Sequence, residues 1–209
     1  MDIKSTFKGT IISIQPFIRL TRSFDETSLT YLGYSIILEG EINNQHNIFS
    51  IGIDEKAQVK HQFKVNDVIC GECVPVSDID FVTVQYSKVS KVKVIFRSTI
   101  TRNSSPWTQV PPDLEVYRER GYRRLAAKTY DSKCCSCMWG VRMPVVIIID
   151  NWNPRGNKKY RLETFCYGPL NCKLYKAGAN RKVEGRNGMI YIEEDWVDQM
   201  AVEDRDPEQ

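Results

Sequence analysis

The chain has 209 residues, 42% of them hydrophobic and 26% charged, enough apolar material for one large or two small domains with real cores, which argues against a disordered chain. Its formal net charge of +3 conceals a segregation: residues 1–99 carry 11 Lys/Arg and 11 Asp/Glu, residues 100–190 carry 17 and 7, and residues 191–209 carry 1 and 8. A basic body followed by an acidic segment calls for an acidic partner of the body.

The opening "MDIKSTFKGTIISI" has charges among its first residues and no apolar run of signal-peptide length. The longest apolar stretch, "PVVIII", is too short to span a bilayer. The expectation is a cytoplasmic protein with no membrane attachment. In that compartment seven cysteines, an odd number, argue against a disulfide framework and for metal binding, catalysis or burial as thiols.

The first segment reads as β almost throughout. "GTIISIQPFIRL" alternates through Ile12, Ile14, Ile18 and Leu20, with Pro16 marking a bend or bulge. "YLGYSIILEGEI" puts Leu32, Tyr34, Ile36, Leu38 and Ile42 on one face, and "IFSIGI" repeats the pattern with Phe49, Ile51 and Ile53. Residues 54–63 are mostly polar, with Val59 and Phe63 four apart as a short helix or turn requires. "FKVNDVICGE" then enters a strand through Asn66 and Asp67. A last strand region places Val82, Val84, Tyr86, Val92, Val94 and Phe96 on one face. Three strands, a short helix and two strands resemble an OB-fold, a five-stranded Greek-key barrel, over residues 1–97; an SH3-like or other small barrel is the rival.

Residues 98–114 concentrate Ser, Thr, Asn and Pro, which predicts a linker. A helix is expected to follow from Pro112 and Asp113, with Leu114, Tyr117, Leu125 and Ala126 as its apolar stripe and Gly121 as its weak point. Residues 115–190 then form a basic module built on a hairpin. Val145 to Asp150 and "KYRLETF" are its legs, "NWNPRGNK" is its turn, and a bend at Pro144 evens their lengths.

That hairpin returns "CCSCMWG" and "CYGPLNC" to one end. Cys134 and Cys137 supply one chelating loop and Cys166 and Cys172 the other, which resembles a zinc ribbon: a four-thiolate structural Zn(II) site, with an unusually long second loop that Gly168 and Pro169 turn. An iron–sulfur cluster would demand the same thiolates, and buried unrelated thiols are the simplest alternative. Cys135 reads as a bystander. Cys70 and Cys73 have redox spacing but lie in a predicted strand, where no helix N-terminus lowers a thiol pKa.

Catalysis has little to draw on. His46 and His61 are the only histidines, Asp131, Asp150 and Glu163 are scattered, and no phosphate-binding glycine loop occurs. The expected function is therefore non-catalytic nucleic-acid binding, single strands preferred. Cations for phosphates and rings for bases come from Arg118, Arg120, Arg123, Arg124, Trp152, Arg155, Lys158, Lys159, Tyr160, Arg161, Lys173 and Lys176. Residues 191–209 form an acidic tail with a short helix at Glu193 to Ala201. The tail folds back on the basic half and competes with nucleic acid, docks a protein partner through Trp196, Val197 and Met200, or is simply a solvating terminus. The alternatives to nucleic-acid binding are an adaptor docking on a larger complex and an iron–sulfur redox or sensing protein.

Overall fold

A computed structural model of the chain describes residues 4–24, 26–77, 82–99, 109–153 and 155–205. Most of the expected linker, including Trp107, and the end of the acidic tail lie outside the described residues. The protein is mainly β, with short helices. No described helix is long and apolar enough to cross a membrane.

Strand β1 (Ser5–Arg22) is the organising element. It pairs antiparallel with β2 (Thr27–Ile42), which pairs antiparallel with β3 (Gln45–Ile53). Helix α1 (Glu55–His61) follows, capped by the Asp54 carboxylate, which accepts from the Ala57 N–H. Strands β4 (Val68–Pro75) and β5 (Tyr86–Phe96) pair antiparallel. β5 meets β3 in parallel at Tyr86 and Ile51, and β4 returns to β1. The pairings close into the ring β1–β2–β3–β5–β4–β1.

Alternation explains the ring's core: Tyr34, Ile36, Leu38, Phe49, Ile51, Ile53 and Ile69 point inward and are buried. In β1 the phase differs from the simple alternation. A register shift between Ile11 and Ser13 makes Ile11 the buried residue and leaves Ile12 half-buried. Pro16 stays in register opposite Tyr34, and the second irregularity falls after it, between Phe17 and Ile18. β5 is interrupted by positive φ at Lys88 and Lys91, and at its end, where the register against β4 shifts again, Phe96 is 56% exposed.

Helix α2 (Leu114–Arg120) buries Leu114 and Tyr117 but stops seven residues in. Gly121 adopts φ 63°, and a Cβ there would stand 1.8 Å from the Ala201 carbonyl oxygen. Leu125 therefore belongs to no helix; it follows the two-residue strand β6 (Arg123–Arg124). A helical turn α3 (Ala127–Thr129) runs into one π turn over Tyr130–Cys134. The hairpin of β7 (Gly140–Ile148) and β8 (Lys158–Cys166) is regular throughout: Pro144 faces Leu162 without a shift, so its legs match with no bend. β8 continues to β6, and Leu20–Arg22 of β1 pair in parallel with Val145–Ile147 of β7. Ring and hairpin are one eight-stranded sheet.

The C-terminal part adds the ribbon of β9 (Arg181–Glu184) and β10 (Ile190–Glu193), then α4 (Asp195–Ala201). Its acidic residues reach into the body. Glu193 accepts two hydrogen bonds from the buried Arg22 guanidinium, at 2.7 and 2.9 Å. Asp198 accepts from the backbone N–H and the Nε of Arg124.

Candidate metal centre and basic surface

The first cysteine loop is a pair of tight turns: the Cys137 N–H donates to the Cys134 carbonyl and the Gly140 N–H to the Cys137 carbonyl. Strand β1 holds this loop. Gln15 Nε2 donates to the carbonyls of Cys134 (2.9 Å) and Cys137 (2.8 Å), Tyr130 hydroxyl donates to Gln15 Oε1 (2.7 Å), and Ser13 Oγ donates to the Cys135 carbonyl. Gly140 begins β7 opposite Cys166, the last residue of β8, so the strand ends carry both loops to one place. In the second loop the Cys172 N–H donates to the Pro169 carbonyl and the Tyr175 N–H to the Cys172 carbonyl.

All the cysteines named above are free thiols. Cys134, Cys137 and Cys166 are buried in a small cluster with Leu125 and Tyr130, and Cys172 is half-buried. Burial pushes Cys134 up to about 11 and Cys137 up to about 12, and it raises Cys166. Neighbouring thiol charge adds to these shifts: Cys166, Cys172 and also Cys135 act on Cys134, Cys166 and Cys134 on Cys137, and Cys172 on Cys166. The four cysteines are thus electrostatic neighbours. Backbone N–H groups oppose the burial, those of Trp139 and Gly140 at Cys137 and that of Gly168 at Cys166 Sγ, 3.4 Å away. Among the described residues no three His, Cys, Asp or Glu side chains stand in a ready metal-holding arrangement.

Cys135 is exposed and outside this cluster. Cys70 and Cys73 lie in β4, with Cys73 buried and pushed up to about 11 by desolvation. His46 is exposed on β3. His61 ends α1 and stacks on Phe63 with ring centroids 5.0 Å apart.

The structure divides the basic residues into two groups. The first group is engaged within the fold. Arg118 pairs with Glu115 and lies over the Tyr31 ring. Arg120 lies over Trp139 and donates to the Tyr167 carbonyl, and Arg123 lies over Tyr175 and donates to the Pro169 carbonyl. Arg124 has no exposed surface and binds Asp198 and Asp195. Arg161 pairs with Glu163, and Lys159 with Glu184. The second group faces solvent: Arg155, Lys158, Lys173 and Lys176 are exposed with no ion-pair partner among the described residues, as are Lys182 and Arg186 nearby. Trp152, at the β7–β8 turn, is 87% exposed and Tyr160 on β8 is 39% exposed.

The internal acids Glu163, Glu193 and Asp198 were not legible as site-shaping residues in the sequence. They lie among other charges, and only the tertiary fold brings them to Arg22, Arg124 and Arg181. Comparison of the chain with protein-family models, curated proteins and solved structures finds no match.

Proposed function

We propose that the protein is a non-catalytic, cytoplasmic nucleic-acid-binding protein that engages unpaired strands through the β7–β8 turn and the surface beside it. The observation that carries this reading is the set of exposed cations with no ion-pair partner among the described residues, Arg155, Lys158, Lys182 and Arg186, on the hairpin and ribbon that carry the 87% exposed Trp152. A large ring left in water forgoes a burial free energy of about 2–3 kcal/mol, and rings among cations are what base stacking beside phosphates uses. The closed five-strand ring, with a helix between its third and fourth strands, supports reading the N-terminal part as an OB-like barrel.

The neighbouring thiols support a zinc-ribbon-like centre in which Cys134, Cys137, Cys166 and Cys172 would hold Zn(II) as a closed structural site. Metal would stabilise the thiolate form that burial alone disfavours. Purified protein should carry about one zinc per chain; a brown protein with broad absorbance near about 400 nm would replace zinc by an iron–sulfur cluster.

Anisotropy of a labelled single-stranded oligonucleotide tests the main reading. If these four cations each neutralise one phosphate, affinity falls about 50-fold between roughly 50 and 200 mM salt, from a slope of about −0.7 per phosphate. Absence of binding at the lower salt overturns it and leaves the protein an adaptor.

A further inference from the structure

Between the β1–β2 turn and the β7–β8 turn lies a two-part groove, with volumes of about 300 and 270 Å³; Glu26, Ile148 and Asn151 line both parts. One part is aromatic, with Phe24 and Trp152 on its walls and Arg186 at its rim. Phe24 is fixed there: its ring meets Tyr191 edge-on at 6.2 Å, and a Cβ on Gly185 would stand 2.9 Å from it.

The other part is lined by two residues with unmet donors. Arg22 is 2% exposed and Ser23 is 7% exposed, yet Arg22 Nε and Ser23 Oγ have no hydrogen-bond partner among the described residues. Orphaned buried donors are uncommon, because each costs the desolvation of its polar group. Glu26 is exposed between the two parts, with no partner among the described residues. Asp150, also on the aromatic part, accepts the Trp152 N–H through one oxygen.

Donors and a carboxylate in one groove select a ligand that carries an acceptor beside donors. Phosphate offers acceptors only, and Glu26 and Asp150 would repel it. Among the bases, guanine alone presents two adjacent donors, N1–H and N2–H₂, next to the O6 acceptor, and a carboxylate can accept from both donors at once. We propose that this groove takes an unpaired guanine base, stacked against Trp152, with its donor edge on Glu26 and its O6 toward Arg22 and Ser23. The assignment rests on the nucleic-acid reading and adds base preference to it. Arg186 at the rim then meets the flanking phosphate.

The test compares a short labelled oligothymidine with the same strand carrying one central guanosine, by anisotropy at roughly 50 mM salt. The guanosine strand should bind about tenfold tighter or more. Glu26→Gln should erase that difference and leave oligothymidine affinity unweakened, because the Glu26 carboxylate has no partner among the described residues whose loss would disturb the fold. Trp152→Ala should weaken the guanosine strand about tenfold, with the circular dichroism spectrum unchanged. Equal binding of the two strands by the unmodified protein overturns the guanine site while the nucleic-acid reading stands. Binding of neither strand overturns both.

Discussion

The Arg124 guanidinium is held from every side: by Asp198 at 2.8 Å, Asp195 at 2.6 Å, Asn180 Oδ1 at 3.0 Å and the Glu193 carbonyl at 2.8 Å. Arg124→Leu leaves the buried Asp198 carboxylate without its cation and should lower stability by about 3–5 kcal/mol. Asp195→Asn, at a position whose side chain is 75% exposed, should cost less than about 1 kcal/mol. Urea unfolding of the two variants checks this ordering, and equal losses would contradict it. His61 supplies a pH dependence. Burial first, then Lys60 and Arg97, hold its pKa below 6.5, so the folded state binds this proton less readily than the unfolded chain. The associated stability is present above 6.5 and is lost as pH falls toward the folded value. The urea midpoint should therefore drop between about pH 7.5 and 5.5, and His61→Gln should flatten that part of the drop. Residue types alone did not reveal these partnerships: Arg124 looks like any surface cation in "YRRL", and its counter-ion Asp198 is 74 positions away.

At the scale of elements, the hairpin and strands β1 to β5 were legible because alternation and turn residues are local signals. The end of α2 was less so. Gly121 warned of weakness, but the close approach of the Ala201 carbonyl that forbids a side chain there is tertiary. Gly121→Ala should accordingly destabilise by well over about 1 kcal/mol, combining a positive φ with a backbone clash; a melting temperature within error of the parent would contradict that. The return of both cysteine loops to one end of the hairpin was legible in their spacing about its turn, but not the grip on the first loop by Gln15, one of several polar residues in β1. The acidic segment was legible in its charge and only partly in its role. Because Glu193 and Asp198 pair with buried arginines, truncation after residue 190 should produce a destabilised protein rather than a tighter nucleic-acid binder. Thermal melting of the truncated chain reads this directly: an unchanged transition would show that the segment is dispensable.

At the scale of the whole molecule, the sequence suggests two modules while the hydrogen-bonded sheet runs through both. Tyr34 hydroxyl donates to the Pro112 carbonyl, and a single apolar cluster takes in Ile36 from β2, Met143 from β7, Phe165 from β8 and Val183 from β9. Calorimetry should therefore show one cooperative transition, and, if the proposed zinc is present, a chelator should shift it downward as a unit; two separate transitions would restore independent modules. The parallel pairing of Leu20–Arg22 with Val145–Ile147 also bears on how the protein is made. During synthesis, β1 emerges more than a hundred residues before β7, and Arg22 long before Glu163 and Glu193 can neutralise it. A nascent chain that has cleared the ribosome only through β5 carries an open strand edge and a cation awaiting its counter-ions, so the native state closes only once the segment through Glu193 has emerged.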